Sequence, residues 1–267
     1  MSVNGISCTE LPSRSPGDRG MTNPSDYVKI RETSYWRWWT TQDFWNQHQN
    51  DISRFFDYPE SYLSRLKEDF GYDVPTILDL VLDPNSHGGA TGTPFGPYGI
   101  TIAADSVCNE AWGVRGFWFY ILSLHETINV WAGHLTPGWP WANGSEIWHG
   151  GSQFPNMADI VVTKELGLND VSQIQAQRML SDPGVRLLYD LQEKFGWRIY
   201  QGMFSLIRQY RVNFATYVEP MKTATIVLFL SSSAGTSLLP LFRQAGVGAS
   251  DDALQVVQEL FPTIKIS

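Results

Sequence analysis

Residues 116–133, Gly-Phe-Trp-Phe-Tyr-Ile-Leu-Ser-Leu-His-Glu-Thr-Ile-Asn-Val-Trp-Ala-Gly, constrain the fold more than any other stretch of the chain. The run is apolar on nearly every side and contains no proline, so it predicts a helix packed among other elements rather than an amphipathic surface helix. His125 and Glu126 nevertheless stand side by side in its middle. Burying ionisable groups is expensive unless they are paired or ligated, so the pair marks a candidate acid–base site, with Asn129 and Trp118 on the same helix as candidate substrate contacts.

The 267 residues, 43% hydrophobic and 17% charged, suffice for one large domain or two close lobes. A net charge of −8 without a Lys/Arg cluster excludes general binding to a nucleic-acid backbone. The longest apolar run, 117–124, is far below the roughly 18 residues needed to cross a bilayer. Residues 1–25, rich in Ser, Pro, Gly and Asn, lack the apolar core of a secretory signal and read as a disordered leader, which points to a cytoplasmic protein. Two cysteines, Cys8 and Cys108, predict neither a disulfide framework nor a Cys-based zinc site.

Periodicity divides the rest. Aromatic and β-branched residues over 27–40 predict one strand, and mixed three- and four-residue steps over 43–70 predict helix broken into two pieces at Pro59. Thr76–Leu82 reads as a buried strand, 88–97 as a turn, and Tyr98–Asp105 as a further strand leading into the His-Glu helix. Helix resumes at Asn156 and recurs over 171–180, 184–194, 197–212, about 218–231 and 251–260, with Ser231–Gly235 as a loop. The expected architecture is α+β: a leader (1–25), a strand-containing N-terminal lobe with the His-Glu helix (26–135), and a helical C-terminal lobe (136–267).

Leu124-His125-Glu126-Thr127-Ile128-Asn129 nearly spells His-Glu-x-x-His, in which two histidines about 40° apart on one helical face bind zinc and the Glu activates a zinc-bound water. With these residues in the order strands, His-Glu helix, helical lobe, the chain resembles the gluzincin metallopeptidases, most nearly those of basic-secretory-protein type, over roughly residues 26–170. The resemblance implies a zincin-like fold with a small mixed sheet, an active-site helix and a helical lobe. It also implies a later Glu-Gly-x-Ala-Asp motif supplying the third ligand; Pro155-Asn156-Met157-Ala158-Asp159 matches that motif except at the Glu. Asn129 and Pro155 therefore stand where the family has ligands. A neutral amide is a poor substitute for imidazole, and His125 with Asp159 and Glu146 is the set that could rebuild a metal site; His149 is a further candidate and His134 a weaker one.

Three functions follow. The first is an enzyme without a cofactor that acts on an apolar small molecule by cyclisation, isomerisation or a lyase-type step, as in secondary-metabolite biosynthesis. His125 and Glu126 would be its acid–base or hydrogen-bonding pair, and Trp118, Asn129, Trp139, Trp141, Trp148 and His149 would line its aromatic pocket. The second is a zinc-dependent amide hydrolase with rebuilt ligands; the third is a non-catalytic binding protein. Against each stand structural readings: a core histidine, a Glu126–Arg115 ion pair, Asp159 as a first-turn helix carboxylate, and the tryptophans as aromatic core.

Overall fold

The computed structural model describes residues 23–73, 76–86, 88–138 and 153–264. It divides into two units, the chain up to Tyr62 with Pro75–Val130, and Leu63–Val74 with Trp131–Ser267. The protein is mixed α+β, with one small mixed sheet and a series of helices. No helix among the described residues is long and apolar enough to cross a membrane.

The first unit is built on strands β1 (Tyr27–Glu32), β2 (Trp36–Thr41), β3 (Leu78–Asp83), β4 (Gly89–Thr93) and β5 (Gly96–Ala103), in the order β1-β2-β3-β5-β4. β2, β3 and β5 run parallel; β1 and β4 are antiparallel edges. Every residue of the central strand β3 is buried, including Asp79, which accepts from Arg37 Nη2 at 2.7 Å and Trp39 Nε1 at 2.8 Å. β2 alternates instead, burying Trp36, Trp38 and Thr40.

Two sequence expectations change here. The single strand over 27–40 is a hairpin, turned at Thr33–Tyr35, where the Thr33 hydroxyl accepts from the Tyr35 and Trp36 amides. That hydroxyl does the work that glycine or proline usually announces. The expected turn over 88–97 contains β4, whose glycine-rich composition hides a strand formed by main-chain pairing to β5.

Helix α1 (Gln42–Ser53) starts at Thr41, whose side chain accepts from the Phe44 amide. The break before α2 (Tyr58–Phe70) falls at 54–57, and Pro59 sits in the first turn of α2, where its missing N–H is not needed. A short hairpin, β6 (Glu110–Ala111) and β7 (Val114–Arg115), precedes α3 (Phe117–Leu135), the apolar helix of the sequence. Within the first unit, Phe119 of α3 stacks on Trp38 at 5.8 Å and meets Phe55 at 4.8 Å. The Tyr62 hydroxyl satisfies the helix's inner polar groups, 3.0 Å from Thr127 Oγ1 and 3.3 Å from the Ser123 carbonyl. Burial pushes its phenol well above the ordinary range, which keeps it a donor.

The second unit consists of α4 (Gln153–Glu165), α5 (Asn169–Met179), α6 (Pro183–Phe195), α7 (Arg198–Gln209), α8 (Glu219–Ala234), α9 (Leu239–Gln244) and α10 (Asp251–Leu260), with the C-terminal parts of α2 and α3. Phe70 lies among Trp131, Phe154, Trp197 and Phe204, ring centroids 5.2 to 6.4 Å away. α4 opens three residues before the expected Asn156. The serines at 231–233 are the last turn of α8 rather than a loop: Ser233 Oγ donates back to the Phe229 carbonyl, and Ser231 Oγ accepts from the Leu238 amide.

Of the expected leader, residues 1–22 lie outside the described residues, and Pro24–Asp26 form a 3₁₀ turn capped by Asn23. Cys108 is disulfide-bonded, which corrects the expectation that the cysteines form no bridge; Cys8, the other cysteine of the sequence, lies outside the described residues.

Candidate functional site

Trp118, Leu122 and Glu126 follow one another at four-residue steps on α3, so they form one stripe of the helix in the first unit, and Asn129 extends it by three residues. Glu126 is half-buried, and so is the adjacent His125. The apolar helix thus keeps its ionisable pair at an edge open to water rather than sealed in the core, which lowers the desolvation cost that makes the motif conspicuous.

The Glu126 carboxylate is held from two sides. Thr91 Oγ1 on the edge strand β4 donates to Oε2 at 3.0 Å, and Asn129 Nδ2 donates to the same oxygen at 3.3 Å. Among the described residues no hydrogen bond reaches Oε1. The close approach of strand and helix depends on Gly89: a Cβ there would lie 2.9 Å from Glu126 Cγ and 3.0 Å from Oε1. Asn129 is 8% exposed, and with its amide nitrogen turned to Glu126 its Oδ1 is buried without a hydrogen-bond partner. At the position where the resemblance would put a second zinc ligand, the residue is therefore a donor to the carboxylate.

Beside this group, a cavity of about 280 Å³ opens at the N-terminal end of α3. Trp118 and Leu122 form its helix side, with Gly88, Asp105, Ser106 and Asn109 opposite. Ser106 is 2% exposed and its hydroxyl has no partner. Trp112, at the tip of the β6–β7 hairpin, meets Trp118 edge-on at 5.7 Å and Phe117 at 4.9 Å.

Of the sequence candidates, the structure groups Trp118, Glu126 and Asn129, with His125 adjacent on the chain. Arg115 pairs with Asp51 at 2.6 Å, so the expected ion pair to Glu126 is replaced by the Thr91 and Asn129 hydrogen bonds. Asp159 lies in the middle of α4 rather than in its first turn; fully buried in the second unit, it accepts from Gln175 Nε2 at 3.5 Å. His134 lies exposed in the last turn of α3. Trp139, Trp141, Glu146, Trp148 and His149 lie outside the described residues. Among the described residues no group of three His, Cys, Asp or Glu side chains could hold a metal ion. With Asn129 turned away from a ligand's role, these residues do not fit the three-ligand zinc site that the resemblance implies. Thr91, Gly89 and Ser106 went unrecognised in the sequence. Their one signal was the glycine-rich segment 88–92, where glycine marks close backbone approach as often as a turn.

No protein-family model, curated protein or solved structure matches the chain.

Proposed function

We propose that the protein is an enzyme acting on a hydrophobic small molecule, with Glu126 as its acid–base group. The observation that carries this reading is the carboxylate itself, half-buried, oriented by Thr91 and Asn129 through one oxygen, and one helical turn from a cavity walled by Trp118 and Leu122. A carboxylate fixed in this way can take a proton from an apolar substrate and return it at another atom, the transfer that an isomerisation, cyclisation or lyase-type step requires. His125 is the second titratable group the same turn offers. The Cys108 disulfide weighs against the expected cytoplasmic setting, because such bonds persist mainly in oxidising compartments.

The test is turnover of a panel of terpenoid and aromatic polyketide compounds, followed by mass spectrometry, for the native chain and Glu126→Gln. Conversion by the native chain that falls about 10² to 10⁴-fold in the variant is expected, the usual contribution of a general acid or base. Undiminished conversion by Glu126→Gln would refute the assignment.

A second reading, amide hydrolysis on a zincin-like fold, draws support from β4, an antiparallel edge strand beside Glu126 on which an extended peptide could add a strand. Cleavage of a fluorogenic peptide that chelators abolish and zinc restores would put that reading first.

A further inference from the structure

We propose that the groove between α6 and α9 receives the exposed stripe of α10 from a second copy of this chain. The inference concerns the second unit alone and goes beyond the reading of Glu126.

α10 is apolar on two sides. Ala253 and Val257 are buried, and Phe261 just beyond the helix meets Phe229 at 5.0 Å and Tyr210 at 5.2 Å, so this side belongs to the unit's own core. Val256 and Leu260 are instead 43% and 51% exposed. Four residues apart, they share one face of the helix. A single exposed apolar side chain needs no explanation, whereas a stripe of them on a helix is the usual form of a docking element. Acids bound the stripe: Asp252 stands four residues before Val256, Glu259 stands beside Leu260, and the helix carries no Lys or Arg. Asp251 is already paired with Arg243 of α9, while Asp252 and Glu259 face solvent, Glu259 accepting from Gln255 Nε2 at 3.2 Å.

The groove has the complementary pattern. It encloses about 440 Å³, with buried Leu187 and Leu191 and the 38%-exposed Leu241 on its walls. Arg186 and Lys194 flank the two leucines of α6 and line the same groove. Arg186 donates to Asp190 through Nε, at 3.0 and 3.1 Å, which leaves its terminal nitrogens for a second carboxylate. Lys194 makes no ion pair among the described residues; its ammonium lies 5.1 Å over the Phe195 ring.

Spacing agrees on both sides. Asp252 and Glu259 are seven residues apart, about 10 Å along α10 and about 20° apart in direction, while Arg186 and Lys194 are eight residues apart, about 12 Å along α6. Laid along α6, the stripe sets its two acids against the two bases and its Val256 and Leu260 against the three leucines. This match selects a second copy as the occupant. A net charge of −8 opposes association of copies in general, so a contact between them needs bases of one chain to meet acids of the other. One helical stripe buries less than a stable interface does, which places the dissociation constant on the order of 10–100 µM.

Sedimentation velocity of the full chain over about 5–500 µM tests the contact. The average mass should rise with concentration at about 0.05 M salt and rise less at about 0.5 M. Leu260→Asp and Leu241→Asp should each hold the chain monomeric. Lys194→Glu and Glu259→Lys should each weaken association at least about fivefold by opposing like charges, and the double variant, which restores an opposite pair, should recover it. Because all four positions are exposed, the melting temperatures of these variants should stay close to that of the native chain. The proposal is overturned if the native chain stays monomeric over the whole range, if either leucine variant associates as the native chain does, or if the double variant associates no better than the single ones.

Discussion

Asp69→Asn should remove a loss of stability with rising pH, opposite in sign to the effect of a carboxylate stabilised in its charged form. Asp69, on α2, is 2% exposed. Arg65 reaches it through Nε at 3.0 Å and a terminal nitrogen at 2.9 Å, and the same Nε lies 2.8 Å from Glu165 Oε2. Trp197 Nε1 completes the group with a 3.0 Å bond to Glu165 Oε1. Two carboxyl groups thus share one guanidinium. Burial, and then the Glu165 charge, outweigh Arg65 and push the Asp69 carboxyl up to about 8 from an ordinary 3.8.

The folded chain therefore holds a proton that the unfolded chain has released between about pH 4 and pH 8. The stability from this proton is fully present below the unfolded value and is lost as pH rises through the folded one. The slope approaches about 1.4 kcal/mol per pH unit while one proton separates the states. Asparagine keeps the shape and one acceptor for Arg65, and has no proton to lose. Urea denaturation at fixed pH from 4.5 to 9 should show the native chain losing stability relative to Asp69→Asn as pH rises, with the difference levelling off above pH 8. A native chain that gains stability relative to the variant over that interval would refute the reasoning.

The other expectations concern the site and the packing. Gly89→Ala should displace the Glu126 side chain, because the new methyl would stand 2.9 Å from Cγ; turnover should fall at least about tenfold for an orienting contact that is lost, with the melting temperature little changed. Asn129→Leu removes the 3.3 Å donor to Glu126 together with an unsatisfied buried oxygen; stability measured in urea should change by less than about 1 kcal/mol because these effects oppose each other, while turnover falls. Phe70→Ala, at the centre of the second unit's aromatic cluster, should cost about 3–5 kcal/mol in the same assay.

What the sequence disclosed depended on how local the cause was. β3 and α3 could be read from single segments, because a mostly apolar segment bounded by turn residues carries its own evidence of burial. The Thr33–Tyr35 turn was hidden because a threonine hydroxyl closed it among aromatic residues. β4 was hidden because its ladder is main-chain bonding supplied by β5. The site divides in the same way. Trp118, Glu126 and Asn129 share one helix and could be found by counting along it, whereas Thr91 lies 35 residues from the carboxylate it binds. Ser106 is one of many serines until the fold closes a cavity around it. The shared proton at Asp69 needed Glu165 brought to Arg65 across a hundred residues of sequence.

Asn129 stands where the resemblance would place an imidazole, beside the proposed acid–base group Glu126. At a ligand's position, an imidazole would direct a lone pair outward toward a metal. The amide instead gives its N–H to the neighbouring carboxylate, and its own oxygen is buried without a partner. That arrangement is poor for stability, since an unsatisfied buried oxygen costs about 1–3 kcal/mol. It is good for orientation, since the carboxylate's Oε2 is fixed by Asn129 from the helix and by Thr91 from the strand. A core residue under selection for packing alone would be served as well by leucine at this 8%-exposed position. Under the role proposed for Glu126, a carboxylate held through one oxygen is served by a donor at this position, and Asn129 supplies one.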